Sequence, residues 1–283
     1  MSAQRAAWLL LVAGLLLILL YWYPDNWVAS ELVASLYANL STSLISISIT
    51  VLLIDKLYAQ ENRTQLKKRL IWEMGSTDQA AAIRAVKELR DSDWIKDGSL
   101  VGVDLAYANL TGARLDNVLL SRANLANSTL STADFRSATL DDSDLEQVTA
   151  FDANFKDASL VRVVFRKARL QGAIMDGANC AEAELLGAQL PEASLRGAHL
   201  EKASLESCNL IKSDLSRTVL REASLRGATI LGANLSGANL ERADLMGLRD
   251  WEAVSSIKGA QILGVRNAPD GFVEWALKNG AIN

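Results

Sequence analysis

The 283 residues carry 33 acids against 29 bases, a formal charge of −4, and half of them are apolar while 22% are charged. Between Ala6 and Ile54 the only acids or bases are Asp25 and Glu31, so the apolar excess sits at one end, which excludes a uniformly soluble chain. The acidic balance excludes a nucleic-acid binder that works by neutralising phosphates, and one histidine (His199) with two cysteines (Cys180, Cys208) leaves too few ligands for a zinc site.

Ala6 to Tyr23 is uncharged over eighteen residues, enough to cross a hydrocarbon core of ~30 Å at ~1.5 Å per residue. Tyr21, Trp22, Tyr23, Pro24 and Trp27 follow as an interfacial aromatic belt and a turn, where a cleaved signal would show small residues. A second apolar run covers Leu32 to Ile54, and together the two predict a transmembrane hairpin over residues 1–55. Arg5 precedes the first span, and Lys56, Arg63, Lys67, Lys68 and Arg69 follow the second. This bias places both termini in the cytoplasm, with the hairpin in a bacterial inner membrane. In the second span Ser35, Asn39, Ser43, Ser46 and Thr50 fall on one side of a helix. That stripe is expected to meet the first span or to bond its own carbonyls, with a homo-oligomer through the hairpin as the sharper alternative.

Residues 56–97 turn polar and predict a helical neck. Leu66, Leu70 and Met74 line one side of it, beside a basic cluster that either touches anionic lipid or is simply solvated. Ser76-Thr77-Asp78-Gln79 resembles a capping box ahead of a helix over 80–90 with Ile83, Val86 and Leu89 on one face.

From Leu100 to Leu245 a large apolar residue occupies every fifth position, with only Ala150, Met175, Cys180 and Ile230 departing from Leu or Phe. Two residues earlier the chain repeatedly places something small, without a break from Ala168 to Ala203. A period of five fits neither a helix nor a flat strand, and a repeat this regular predicts a solenoid whose turns bury one continuous core. Ala108-Asn109-Leu110, Ala133-Asp134-Phe135 and Ala238-Asn239-Leu240 resemble the A-(D/N)-L-x-x signature of pentapeptide-repeat proteins. The resemblance implies an all-β solenoid over residues 98–250. Its form would be a right-handed quadrilateral β-helix of about seven and a half coils of twenty residues, with both apolar columns inward.

Charges agree with a twenty-residue coil. Sixteen charged pairs lie twenty apart between Asp104 and Asp244, and all are of opposite sign except Arg136/Lys156. Residues 251–283 read as a helical cap built from Trp251, Phe272, Val273 and Trp275, covering the open end, with the neck covering the other. Cys180 and Cys208 fall in inward slots, buried and reduced, and His199 in an outward one.

No glycine-rich phosphate loop, nucleophile elbow or catalytic carboxylate pair is present, so no enzyme activity, cofactor or metal is expected. The expected function is a non-catalytic membrane-tethered interaction module or scaffold. Its partners would be the bilayer and a cytoplasmic or membrane protein. Two surfaces are candidates for a partner: the outward apolar residues Phe151, Pro191, Ile211 and Leu231, and the acidic group Asp141, Asp142, Asp144 and Glu146. Coverage of the apolar column by the carboxy-terminal cap is the plainer alternative. One alternative function is an oligomeric membrane assembly element driven by the hairpins; the resemblance brings another, since some family members mimic DNA and bind type II topoisomerases. Here twenty acids face sixteen bases over 98–250, in ladders that mix the signs, which is poor mimicry.

Overall fold

The computed structural model describes residues 3–22 and 31–283. They fall into two units, Met1–Lys68 and Arg69–Asn283. The interhelical belt around Trp27 lies outside the described residues.

The first unit holds helix α1 (Ala3–Trp22) and most of helix α2 (Glu31–Met74). The sequence predicted a boundary at Asp55, but α2 runs through it. No proline or glycine interrupts the chain between Glu31 and Gly75, and nothing stops a helix there. The helices meet at small residues: a Cβ added to Gly14 would lie 2.8 Å from Ile45 Cγ1 and 3.2 Å from the Ser41 carbonyl oxygen. Ala7, Ser41 and Ser48 are buried. Ser41 donates to the Ala38 carbonyl at 2.9 Å and Ser48 to that of Leu44 at 2.6 Å, so both buried hydroxyls are paired. Of the polar stripe, the side chain of Ser35 lies outside the described residues, Thr50 bonds the Ser46 carbonyl of its own helix at 2.9 Å, and the described members do not meet the first span. Asn39, Ser43, Ser46 and Thr50 are all exposed, because the seam is formed by the smaller Gly14 against the other face of α2. Among the described residues one helix, Ala38–Met74, is long and apolar enough to cross a membrane, and Arg5–Leu19 is a shorter apolar helix.

The second unit is a solenoid. Parallel bridges join residues twenty apart in four columns, unbroken from Asp104↔Asn124 to Thr229↔Arg249. The Leu/Phe column and the small-residue column both point inward and are buried throughout, Phe135 stacking on Phe155 with ring centroids 5.1 Å apart. Within one pentad, the amide of the inward Leu125 donates up to Asp144 and that of Asn124 back to Val103. Asn127, second in the turn, donates to Glu146, and Ser128 closes the turn onto Leu125. Only the first turn residue lacks a backbone acceptor. Where an Asp or Asn stands two residues earlier, its side chain takes that amide, as when Glu241 N–H donates to Asn239 Oδ1 at 2.9 Å and Ser216 N–H to Asp214 Oδ1 at 2.9 Å. From residue 104 to 249 all twelve Asp and Asn residues in that slot make this bond. This explains the acid-or-amide preference of the motif, since a side chain of that length makes an Asx turn.

Helix α3 (Gln79–Asp91) closes the first coil. Its N-cap is Asp78, accepting from Ala81 N–H at 2.8 Å. Gln79 instead begins the helix and donates to the Thr111 carbonyl at 2.9 Å. Ala82, Ala85, Val86 and Leu89 are buried against the solenoid core, and the Ser76 and Ile95 carbonyls accept from Asn109 and Leu119, so the neck supplies the missing rungs.

At the other end the ladder does not stop at 250. A short 3-10 segment (Trp251–Ala253) inserts two residues, and bridging resumes with a separation of twenty-two, as in Asn239↔Gln261 and Asp244↔Arg266. Ile282 then bridges to Gln261. Helix α4 (Phe272–Lys278) buries Phe272 and Ala276, with Trp251 and Trp275 edge-on to each other at 5.3 Å. Val273, expected in the cap, is 38% exposed because the helix turns Ala276 inward in its place.

Asn239→Ala removes the acceptor for Glu241 N–H and is expected to lower stability by about 1 kcal/mol, measured by urea unfolding in detergent. His199→Ala, in the equivalent outward slot, should change it by less than about 0.5 kcal/mol. Ser128 holds a buried hydroxyl with no partner, whereas Ser213, in the same kind of slot, donates to the Leu210 carbonyl at 2.8 Å. Ser128→Ala is therefore expected to raise the urea midpoint and Ser213→Ala to lower it.

Candidate functional site: the corners of the solenoid

Four bridge columns leave four corners, each made by the two turn residues of successive pentads. The second residue of the pair is left-handed whatever its identity: Arg122, Asp142, Arg162, Glu182, Lys202, Glu222 and Arg242 all have φ between 54° and 60°. That conformation costs a non-glycine residue ~1–2 kcal/mol and aims its side chain outward, stacked over the residue one coil away.

Three corners carry ion pairs. At the first, Arg162 meets Asp142 at 2.6 Å, Arg221 meets Glu201 at 3.5 Å and Arg242 meets Glu222 at 3.9 Å. At the second, Arg166 lies 3.4 Å from Glu146 and 3.5 Å from Glu184, and Arg226 lies 3.4 Å from Asp244. At the fourth, Arg196 meets Asp176 at 2.9 Å, Arg136 meets Asp134 at 2.7 Å and Arg90 meets Asp116 at 2.5 Å. Five of these pairs span twenty residues as the sequence implied. Others re-pair: Arg90 of α3 takes Asp116, so Arg136 turns back to Asp134. Glu206 accepts from Ser224 Oγ, leaving Arg226 to Asp244. Arg90 lies outside the periodic segment, so no repeat position signals its role.

These contacts depress several carboxylates. The Arg162 guanidinium bonded to Asp142, and that of Arg136 bonded to Asp134, each hold the acid below its ordinary value. For Asp116, burial pulls upward, but the hydrogen bond and charge of Arg90, with Asn117, outweigh it.

The acidic candidates are not gathered into one site. Asp141 accepts from Ser159 Oγ at 2.6 Å and Val161 N–H at 3.0 Å, and Asp142 holds Arg162. Asp144 caps Glu146 N–H, and the Glu146 carboxylate holds Arg166. They lie across two corners and the bridge column between, each engaged within the solenoid.

The third corner is different. Its columns run Thr111, Ser131, Phe151, Gln171, Pro191, Ile211, Leu231 and Gly112, Thr132, Asp152, Gly172, Glu192, Lys212, Gly232. Among the described residues it holds no ion pair. Phe151 is half-buried beneath Arg169, whose guanidinium carbon is 4.6 Å from the ring centroid. Pro191 and Ile211 are half-buried, while Leu231 is 42% exposed, so the carboxy-terminal cap does not cover the column. The apolar candidates therefore share one edge of the solenoid, on the corner that ion pairs leave vacant.

The fourth corner also holds an open groove of about 700 Å³, lined by Lys156, Asp176, Arg196, Asp214 and Arg217 around Gly177 and Gly197, with both charge signs represented. Among the described residues no group of three His, Cys, Asp or Glu is placed to hold a metal ion. Burial pushes the Cys180 and Cys208 thiols up to about 12, which removes the thiolate needed for reactivity.

A family model described as pentapeptide repeats matches the chain in eight copies between residues 99 and 242, just over half of its length. No curated protein matches. Among solved structures, HetL, a pentapeptide repeat protein involved in heterocyst differentiation regulation from the cyanobacterium Nostoc sp. strain PCC 7120, is 24% identical. It covers 65% of this chain and 96% of its own, with a TM-score of 0.28. A trypsin-treated variant of QnrB1, a plasmid-mediated fluoroquinolone resistance protein, is 18% identical over 65% of this chain and 94% of its own, with a TM-score of 0.47. Rfr23, a pentapeptide repeat protein from the cyanobacterium Cyanothece 51142, is 26% identical over 53% and 87%, with a TM-score of 0.16.

Asp116 and Asp134 have folded values below the ordinary 3.8, so their contribution to stability is complete above that pH and is lost as pH falls through the depressed values. Arg90→Met is expected to flatten the loss of stability below pH 4, read as thermal midpoints between pH 2 and pH 7.

Proposed function

The chain belongs to the pentapeptide-repeat family, and we propose that it is a non-catalytic protein-interaction module tethered to a membrane by α1 and α2. In this reading the solenoid is a right-handed quadrilateral rod of about seven and a half coils. The two helices form a hairpin with both ends cytoplasmic, and the rod presents one corner to a cytoplasmic or membrane protein. The small-residue contact of Gly14 with Ser41 and Ile45 supports the hairpin. The apolar run of α2, followed by Lys56, Arg63, Lys67, Lys68 and Arg69, supports the tether and its orientation.

The observation that carries the interaction reading is the contrast between corners. Ion pairs at an exposed corner are worth ~0–1 kcal/mol each and leave little for a partner to gain. Phe151, Pro191, Ile211 and Leu231 keep apolar surface in water along one line, and burying such surface stabilises a complex by roughly 25 cal/mol per Å². The same ion pairs argue against DNA mimicry, since a mimic needs unpaired negative charge and here Asp142, Glu146 and Asp176 are held by arginines on their own surface.

The test is quantitative crosslinking and recovery of partners from solubilised native membranes. Ile211→Glu with Leu231→Glu is expected to reduce recovered partner at least tenfold, with an unchanged melting transition, while Lys202→Glu at the first corner leaves recovery intact. Equal recovery by all three proteins, or recovery of the same partners after removal of residues 98–250, overturns the reading.

A further inference from the structure

The exposed surface of α2 is apolar at Leu36, Leu40, Ile47, Ile49, Leu53 and Ile54, as a lipid-facing helix should be, but one polar stripe interrupts it. With about 100° per residue, Asn39, Ser43, Ser46 and Thr50 cluster on the side of α2 opposite Ser41 and Ser48. Those two serines face α1, so α1 cannot cover the cluster. The two faces also treat their polar groups differently. Ser41, Ser48 and Thr50 donate to carbonyls of their own helix. Among the described residues nothing pairs with the Asn39 carboxamide or with the Ser43 and Ser46 hydroxyls, and all three side chains are exposed.

We propose that this face binds the same face of a second copy, with the Asn39 carboxamides paired across the two α2 helices. The inference rests on the membrane-tether reading. In lipid no water satisfies an amide, so an unpaired carboxamide demands a protein partner. A carboxamide both donates and accepts, which makes it complementary to itself. All copies share one orientation, because the basic residues after Ile54 fix it, so two α2 helices lie parallel with Asn39 at equal depth. The spacing 39, 43, 46, 50 alternates four and three, as the contact seam of a left-handed helix pair requires. The small Ser43 and Ser46 let the backbones approach closely. A different protein supplying the matching group at the same depth is the competing occupant, and the experiment separates it.

Asn39→Cys, Ser43→Cys, Ser46→Cys, Ser41→Cys and Ser48→Cys, each made in the full chain, are oxidised in native membranes with a membrane-permeable catalyst. Homodimers are expected for the first three and not for Ser41→Cys or Ser48→Cys. Asn39→Leu is expected to weaken the dimer about tenfold, by dilution in detergent micelles, and Asn39→Gln to restore most of it. Alkaline carbonate extraction runs in parallel. A chain that stays with the membrane but gives no homodimer, crosslinks equally at Ser41 and Ser48, or crosslinks only to another protein overturns the pairing alone. A chain released by carbonate overturns the tether reading and the pairing with it.

Discussion

Every part of the solenoid depends on backbone amides of one coil finding carbonyls of a neighbouring coil, nineteen or twenty-one residues away. A pentad has five amides; the ladder takes three and the turn takes a fourth. The fifth, at the first turn residue, has no backbone acceptor. In the twelve pentads with Asp or Asn in the slot before the inward residue, that side chain accepts it. Each pentad also places one residue in the left-handed region, at a cost that stacking offsets only when neighbouring coils are present. Stability is therefore a property of adjacent coils and not of single ones, and both ends need closure. The neck supplies the Ser76 and Ile95 carbonyls at one end, and Ile282 supplies a rung at the other.

Because inward columns and Asx bonds meet the needs of the fold, outward positions are released from it. Charged, apolar and small residues all occur at the corners without interrupting the ladder. Arginine and carboxylate pairs fill three corners. The third corner is the exception, and its low charge is the reason to look for a partner there.

The periodic part of the fold was legible because its physics is local and repeated. Leu at every fifth position, a small residue two before it and opposite charges at twenty fix the coil without reference to anything distant. Singular events were not legible. The continuity of α2 past Asp55 depends on the absence of a helix breaker and not on the polarity change that marked a boundary there. Arg90 intervenes in the charge ladder from a helix that the period does not describe. The polar stripe on α2 was visible as a stripe, but which face α1 covers is decided by where Gly14 permits approach. Of the two surfaces singled out, the apolar column holds together as one edge, whereas the acidic cluster dissolves into separate internal bonds that linear adjacency could not reveal.

The two extra residues at Trp251–Ala253 show what a change of register does to a molecule wound in this way. Beyond them the columns are readdressed while the core continues. Loss or gain of one pentad in mid-rod would be tolerated in the same manner, since the apolar slots still coincide, yet all sides past that point would rotate by a quarter. Phe151 and Leu231 would then face different directions. A lineage of such proteins that keeps one working edge can change length only in whole circuits, so the geometry of the edge, and not the packing of the interior, sets the grain of its evolution.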